Sequence, residues 1–369
     1  MKVALVSPGY PPAPGGVESV VAHTAHALAR AEAEVEVLTQ ERRRDLPGTA
    51  WDQGVLVRRF ACNQAATWRI APGLLRYLAR NAADYDVVHG HSYHGLTGIA
   101  AALTVQTRRP GVPYVFSPHY HGTGHSTMRA LLHRACLPVG RAAMASAQSV
   151  LCVSRHEAER VTAHFPEVVG RISVVPNAVD LATLRAAVPH TNEPPTVLSV
   201  GRLERYKSID RLIRAFAALS RDDVQLVIIG TGPDRARLAH LAAMTSASVR
   251  FLGQVPDHEL HRWLRTATVL CSLSTHEAYG LASAEALAAG ARVVLSDIPA
   301  HRELADLGAV RLVHPEADAV QIAAALANAL DTSIPAPNPA VPDWDEVAAR
   351  LLALYGAAEG ADFGSRTCA

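Results

Sequence analysis

The sequence predicts an α/β protein made of two doubly wound domains whose functional edges face a cleft. Its 369 residues are enough for two domains of ordinary size, each with a core of its own. Both halves repeat a short apolar strand, a turn and a helix, first from residues 3–7 and again from residues 196–200. This alternation is typical of parallel sheets, which place ligand sites at the carboxyl ends of their strands.

The domain limits follow from composition along the chain. We predict a first domain at residues 1–185 and a second at 196–340, joined by a linker at 189–195 that contains three prolines. A proline-rich stretch at 334–342 precedes a last amphipathic helix at about 344–356.

Composition and charge exclude several classes of protein. Hydrophobic residues make up 49% of the chain and charged residues 19%, which is typical of a globular protein. A formal charge of +1 gives no reason to expect a nucleic-acid partner. The five cysteines form no C-x-x-C pair, which favours a reducing compartment. No apolar run reaches membrane-spanning length and no signal peptide is visible, so we expect a cytoplasmic protein.

The most informative stretch is residues 274–290. An apolar run ending at Cys271 predicts a buried strand, Gly280 a turn, and residues 281–289 a helix closed by Gly290. Glu277 then lies on the loop and Glu285 in the helix. Amides of a first helical turn bind anions, and carboxylates accept hydrogen bonds from hydroxyl groups. The stretch therefore predicts a site for an anion that carries sugars.

A second anion site is predicted at residues 201–208. Arg202 and Lys207 lie on a loop that leads from a buried strand into a helix beginning near Ile209. Two cations beside the free amides of a helix suit a diphosphate. Arg205 adds a third charge without an evident role.

The loop at residues 8–16 is rich in proline and glycine and precedes a helix at about 17–30. Gly15 and Gly16 would let the backbone approach a ligand closely. A nicotinamide-dinucleotide domain is the rival interpretation. It is disfavoured because the glycines do not form G-x-G-x-x-G and the second strand ends in Thr39 and Gln40, not in an acidic residue.

Histidines are concentrated in two loops of the first half. These residues are His89, His91, His94, His119, His121 and His125. Paired imidazoles could ligate zinc, but no acidic ligand shares the loops, so no metal is predicted. We expect one or two of them to contact substrate hydroxyls instead. The D-x-D at residues 84–86 precedes a strand, where a metal–nucleotide site is not expected.

These motifs, in this order, resemble retaining glycosyltransferases of family 4, which have the GT-B fold of two Rossmann-like domains. The likeness rests on five motifs: the glycine loop, the loop of His119, the segment 174–180, the G-R-x-x-x-x-K at 201–207, and the E-x7-E from Glu277 to Glu285. Ser208 departs from the pattern, which carries glycine there. The family's last helix crosses back onto the first domain.

The resemblance implies roles for individual residues. Glu277 would contact the donor sugar, Glu285 the nucleotide ribose, and Arg202 and Lys207 the leaving diphosphate, while His119 would lie near the reaction centre. The implied donor-binding residues are Gly15, Gly16, Arg202, Lys207, Gly232, Val255, Glu277, Ala278, Tyr279, Gly280, Leu281 and Glu285. The implied catalytic residues are His119, Arg202, Lys207 and Glu277. The expected acceptor-binding residues are His91, His119 and His121.

The expected reaction moves a hexosyl group from a UDP or GDP sugar to a small polar acceptor such as a sugar or aminocyclitol, with no cofactor. A lipid acceptor is the alternative, because a predicted helix at 128–144 carries Arg129, Arg134 and Arg141. A solvated helix face explains these charges better, so membrane contact is not favoured. A non-catalytic nucleotide-sugar binding protein stays open. A phosphorylase would need a lysine for pyridoxal phosphate, and the chain has only Lys2 and Lys207.

Overall fold

The computed structural model describes residues 1–13, 15–41, 45–62, 70–120, 127–332 and 340–359, without the side chains of 127–136. The chain forms two compact units. The first contains residues 1–177 and the chain from Trp344 onward, and the second contains 178–343. The first unit ends somewhat before the limit of 185 set from the sequence.

The first unit is built on an eight-stranded sheet with the strand order β3-β4-β2-β1-β5-β6-β7-β8. The strands are β1 Lys2–Ser7, β2 Glu34–Glu41, β3 Thr49–Asp52, β4 Val55–Ala61, β5 Val87–His91, β6 Tyr114–Ser117, β7 Ser149–Cys152 and β8 Ile172–Val174. All pairs are parallel except the hairpin of β3 and β4. The order reverses at β1, whose neighbours are β2 and β5. Ligand sites are expected at the carboxyl ends of strands around such a switch point.

Five helices of the first unit connect these strands. They are α1 Gly16–Arg30, α2 Pro72–Asn81, α3 Thr97–Arg108, α4 Thr127–Ser146 and α5 Arg155–His164. Ser154 caps α5 by accepting a hydrogen bond from the Glu157 N–H. Pro138 lies inside α4, which continues beyond it to Ser146.

The second unit holds a six-stranded, fully parallel sheet with the strand order β11-β10-β9-β12-β13-β14. The strands are β9 Thr196–Val200, β10 Gln225–Ile229, β11 Val249–Gly253, β12 Val269–Ser272, β13 Arg292–Ser296 and β14 Val310–Val313. Its switch point lies between β9 and β12. The loops after these two strands therefore start side by side.

Seven helices of the second unit cover this sheet, and one more helix ends the described chain. They are α6 Leu181–Ala186, α7 Ile209–Ala218, α8 Arg235–Ala243, α9 Asp257–Thr266, α10 Leu281–Ala288, α11 Pro299–Ala305, α12 Ala319–Asp331 and α13 Trp344–Glu359. α13 belongs to the first unit, where it packs on α1. Each unit has its own apolar core, around Phe116 in the first and Ile213 in the second.

Candidate active site

The predicted diphosphate loop and the predicted sugar loop meet in the second unit. The first follows β9 and carries Lys207, and the second follows β12 and carries Glu277. β9 and β12 are paired in parallel, so both loops leave the same edge of the sheet. The Thr275 N–H donates to the Tyr206 carbonyl at 2.8 Å and ties the loops together. The strand order thus brings into contact two motifs that lie far apart in the sequence.

Lys207 and Glu277 form an ion pair at the centre of this site. Lys207 Nζ lies 2.5 Å from Glu277 Oε1, and their side chains are only 18% and 16% exposed. Burial is the largest single influence and would lower the pKa of Lys207, but the charge and hydrogen bond of Glu277 together with Tyr206 and Glu204 outweigh it, and the pKa is raised. Burial is the largest single influence and would raise the pKa of Glu277, but the charge and hydrogen bond of Lys207, together with a hydrogen bond from Ser274, outweigh it, and the pKa is lowered. Both groups are therefore charged at neutral pH.

Glu277 is supported by a buried polar network that the sequence does not predict. A side-chain hydrogen bond from Ser274 helps to lower the pKa of Glu277. Ser296, at the end of β13, donates through Oγ to the Ser274 carbonyl at 2.5 Å. His301 on α11 donates from Nδ1 to the Ser296 carbonyl at 2.8 Å. The available signal was that β13 ends in a serine shortly before a proline-initiated helix.

His301 is held as a neutral imidazole. Burial lowers its pKa, and its donating Nδ1 fixes the tautomer, which leaves Nε2 as an acceptor. Within the described residues, Nε2 has no hydrogen-bond partner. A Cβ atom added to Gly280 would lie 3.8 Å from this nitrogen, so the imidazole lies against the turn that follows Glu277.

The turn after Glu277 depends on Gly280, whose φ of +99° is left-handed. A Cβ atom there would also meet Leu304 Cδ1 at 3.1 Å. Because α10 begins at Leu281, Ala278, Tyr279, Gly280 and Leu281 lie at a helix N-terminus. Such a terminus presents backbone N–H groups and a positive dipole end to a ligand. This location agrees with the one expected from the sequence.

Glu285 lies on α10, as predicted, in an environment opposite to that of Glu277. Burial, with a smaller contribution from Asp257, raises the pKa of Glu285 to about 8. The two glutamates of the E-x7-E pattern therefore differ in charge at neutral pH. Glu277 is ionised beside Lys207, and Glu285 is mostly protonated while the site is empty.

The two cations of the β9 loop differ in their surroundings. Arg202 is 65% exposed and pairs with Glu204, so only Lys207 contacts Glu277. Arg205 is 81% exposed and lies 3.7 Å from Asp234. Ser208 adopts a left-handed φ of +51°, which explains why glycine is the usual residue there.

The glycine turn after β10 packs closely against the β9 loop. A Cβ atom on Gly232 would lie 2.4 Å from the Leu203 carbonyl oxygen, so this position has no space for a side chain. The Leu203 N–H also donates to the Thr231 carbonyl at 2.9 Å. Val255 follows β11 and is partly buried. Gly232 and Val255 thus lie on the carboxyl edge of the same sheet that carries Lys207.

In the first unit, three histidines predicted from the sequence form one cluster. His91 Nδ1 lies 3.2 Å from His119 Nε2, and the rings of His89 and His91 are 4.1 Å apart. His89 also bonds to Tyr355 of α13 at 2.7 Å and to Ser117 at 2.8 Å. β5 and β6 are adjacent, which brings these side chains together.

Burial keeps this histidine cluster neutral. It lowers the pKa of His89 to about 3 and that of His119 to about 4, and lowers the pKa of His91 well below its usual value. Among the described residues, His91 Nε2 has no hydrogen-bond partner. His91 lines a small pocket, together with Trp344 and Leu351 of α13. Neutral imidazoles of this kind can donate to or accept from hydroxyl groups. The predicted contact His121 lies outside the described residues.

The glycine loop of the first unit is held by a hydrogen bond to β3. The hydroxyl of the buried Tyr10 donates to Asp52 Oδ2 at 2.7 Å, and His26 Nε2 lies 3.1 Å from the same oxygen. Gly15 and Gly16 lie where α1 starts, and a Cβ atom on Gly15 would overlap the Glu18 carboxylate at 1.9 Å. A side chain at position 15 would therefore require the Glu18 carboxylate to move.

Across the described ranges, no three His, Cys, Asp or Glu side chains converge as a metal site would require. None of the helices in the described part of the chain combines the length and apolar character needed to cross a bilayer.

Family models match both halves of the chain. The model described as Glycosyltransferase Family 4 matches residues 14–183, and the model described as Glycosyl transferases group 1 matches residues 181–339. A phosphatidyl-myo-inositol mannosyltransferase of Mycolicibacterium smegmatis is 30% identical, over 98% of this chain and 95% of that protein. A D-inositol 3-phosphate glycosyltransferase of Catenulispora acidiphila is 28% identical, over 93% and 91%.

Solved structures share the whole fold. Sucrose-phosphate synthase from Thermosynechococcus elongatus superposes with a TM-score of 0.78 at 21% identity, covering 98% of this chain and all (100%) of that one. Anabaena HepE in complex with UDP superposes with a TM-score of 0.72 at 16% identity, covering 97% and 100%. Together with the two parallel sheets, these likenesses establish the GT-B fold of two Rossmann-like domains.

Proposed function

The chain belongs to glycosyltransferase family 4, and we propose that it transfers a hexosyl group, with retention, from a UDP or GDP sugar to a small polar acceptor. The observation that carries this proposal is the partly buried ion pair of Lys207 and Glu277 beside the N-terminus of α10. A cation, a carboxylate and the N–H groups of a helix therefore lie together at the carboxyl edge of one sheet. These groups suit a diphosphate that carries a sugar.

The donor assignment uses the charges of these groups. Lys207 and Arg202 would neutralise the diphosphate, and the amides of residues 279–281 would add hydrogen bonds to it. Glu277 would orient the sugar hydroxyls, and Glu285 would hold the ribose. HepE has been solved with UDP and with UDP-glucose, which supports uridine as the first base to test. Gly15, Gly16, Gly232 and Val255 would complete the donor site.

Retention is proposed to proceed by front-face substitution. A double displacement would need a carboxylate nucleophile beneath the anomeric carbon. Glu277 is already paired with Lys207, so we assign it to hydroxyl binding instead. The leaving phosphate would then take the acceptor proton, while Lys207 and the helix amides stabilise its developing charge. Because side chains supply positive charge at the phosphate, the proposed reaction needs neither a metal nor a cofactor.

The acceptor is proposed to contact the neutral imidazoles of His91 and His119, and His121 is retained as a candidate. Their depressed pKa values suit hydroxyl groups better than phosphate. The relatives named for D-inositol 3-phosphate and for phosphatidyl-myo-inositol point to cyclitols, free or in a lipid. The lipid is therefore the second candidate. We also propose a cytoplasmic location, which the absence of any C-x-x-C pair supports.

The test measures release of nucleoside diphosphate from UDP and GDP hexoses. Acceptors would be sugars, cyclitols and cyclitol phosphates in one arm and phosphatidylinositol vesicles in the other. Release stimulated by a small acceptor, with a product of the donor's anomeric configuration and no effect of EDTA, is expected. Stimulation by vesicles alone would identify the lipid candidate. Donor binding without any release would identify a non-catalytic binding protein.

A matched pair of variants ties the activity to the site. Lys207→Met should lower kcat/KM by about 10- to 150-fold, the equivalent of one charged hydrogen bond of about 1.5–3 kcal/mol. Arg205→Met removes an exposed cation from the same loop and should stay within about twofold of wild type. Equal effects of the two substitutions would contradict the assignment of Lys207.

A further inference from the structure

The carboxylate of Glu157 does more than support its own helix. Glu157 is 0% exposed and is the third residue of α5. Its backbone N–H completes the helix cap by donating to Ser154 Oγ at 3.0 Å. Its side chain reaches outside the helix, where Oε2 accepts from the Val153 N–H at 2.6 Å and Oε1 accepts from the Tyr120 N–H.

These two N–H groups belong to different loops at one edge of the sheet. Val153 directly follows β7, and Tyr120 lies shortly after β6. β6 and β7 are neighbouring parallel strands. One buried carboxylate therefore fixes two loops relative to each other. Charge-assisted hydrogen bonds to backbone N–H groups are strong, and losing one inside a protein is costly.

The loop fixed in this way carries His119. His119 has a left-handed φ of +47°, which costs a non-glycine residue about 1 kcal/mol or more and persists only where surrounding contacts compensate for that cost. The next residue, Tyr120, is bonded to α5 through both its backbone and its side chain. Its N–H donates to Glu157, and its hydroxyl lies 2.8 Å from His164 Nδ1. The direction of the His119 imidazole toward His91 thus depends on this attachment.

We propose that Glu157 is a positioning residue that sets the orientation of the His119 imidazole, and that only its ionised form does so. The proposal rests on the proposed function insofar as His119 lies near the reaction centre. An ionised carboxylate presents acceptor sites on both oxygens, as the two N–H donors require. A protonated carboxyl group places a hydrogen on one oxygen and so weakens one of the two bonds.

The titration of Glu157 falls in an accessible range. Burial raises its pKa to about 7, against the opposing effect of the two N–H bonds. Among the described residues, Cys152 at the end of β7 interacts with Glu157 and Tyr120 on the β6 loop donates to it, while Arg160 and His164 of α5 interact with Tyr120. Burial raises the pKa of the Cys152 thiol far above this range, and the charge of Glu157 adds to the effect. Activity should therefore rise through about pH 7 as Glu157 ionises.

The experiment compares Glu157→Gln with Glu36→Gln in the full chain. Glu36 is also buried in the first unit, where it pairs with Arg58 and Tyr77 on the opposite half of the sheet. Glu157→Gln should lower kcat at pH 8 by about tenfold or more, leave the donor KM within about twofold, and abolish the rise near pH 7. Glu36→Gln should keep the wild-type pH profile. A rise that persists in Glu157→Gln would contradict the proposal.

A second readout does not depend on catalysis. In ¹⁵N-histidine NMR spectra, with His119→Asn used for assignment, the His119 signals should shift between pH 6 and 8 in the wild type. They should not shift in Glu157→Gln. Unchanged His119 signals in the wild type would overturn the proposal even if the enzyme is active. A shift in a protein that transfers no sugar would refute the proposed function while sustaining the role of Glu157.

Discussion

Lys207 and Glu277 stabilise each other. If either were removed, the other would be left as an unpaired, partly buried charge. Removing one partner of a buried pair costs about 3–5 kcal/mol, and some remaining exposure reduces this to about 2–3 kcal/mol here. Lys207→Met and Glu277→Gln should each lower the free energy of unfolding by that amount. The double variant should lose clearly less than the sum, because neither charge is then left behind. Urea unfolding of all four proteins measures the cycle, and additive losses would contradict the coupling.

Glu285 predicts a pH dependence of nucleotide binding. Its pKa of about 8 means that roughly a tenth of the empty sites carry the carboxylate at pH 7 and roughly nine tenths at pH 9. If the carboxylate accepts hydrogen bonds from the ribose, the apparent Kd of nucleoside diphosphate should fall about tenfold over this range. Isothermal titration calorimetry of the wild type and Glu285→Gln checks this. A pH-independent wild type, or the same dependence in the variant, would remove Glu285 from the site.

The ends of β5 and β6 should make the protein sensitive to acid. His89, His91 and His119 have folded-state pKa values below the ordinary 6.5, so unfolding takes up protons as the pH falls below 6.5. Each neutral histidine then costs about 1.4 kcal/mol of stability per pH unit, down to its folded pKa. Glu157 and Glu285, whose pKa values are raised, act in the opposite direction between about pH 4.5 and their folded values of about 7 and 8.

Comparing the pH dependence of the free energy of unfolding in the wild type and in one variant isolates the contribution of a single histidine. His89→Gln removes the imidazole with the most complete contacts, to Tyr355 and Ser117, and keeps a donor and an acceptor. It lowers stability at pH 7, but it should lose about 1.4 kcal/mol less than the wild type for each pH unit between 6.5 and 5. Urea unfolding at several pH values gives both slopes. Parallel slopes would mean that His89 titrates normally.

The elements that the sequence predicted well are those with local signals. Apolar runs place β9 and β12, and Gly280 and Gly290 delimit α10. The hairpin of β3 and β4 was not predicted because its turn is Gln53-Gly54 instead of the familiar Asn-Gly, although both residues have positive φ. Such a turn carries only a weak sequence signal.

The contacts within the site were harder to predict than its loops. The pairing of Lys207 with Glu277 follows from β9 lying beside β12, an arrangement that no local pattern encodes. The support from Ser296 and His301 depends on β13 lying next in the sheet. Glu157 occupies the third helical position after the cap Ser154, an S-x-x-E pattern that gives no indication of its bond to Tyr120. Residues that act across strands become visible only when the strand order is known.

The first unit is built from two segments that are separated in the chain by the whole second unit. The two matched family models meet at residues 181–183, close to the change of unit after Asn177, and α13 lies beyond both models. α13 nevertheless completes the first unit, where Trp344, Leu351 and Tyr355 are buried. The first unit therefore lacks part of its core until the last helix has been synthesised, whereas the second unit is contiguous from 178 to 343.

Two adjacent alanines of α13 test this dependence. Ala348 is 1% exposed on the face toward the first unit, and Ala349 is exposed. Ala348→Asp buries an unpaired carboxylate, so it should unfold the first unit, whereas Ala349→Asp should match the wild type. Limited proteolysis with mass spectrometry should find the first cleavages of Ala348→Asp within residues 1–177 and leave 178–343 intact, because that unit keeps its own core. Early cleavage in 178–343 would show that α13 stabilises the second unit as well.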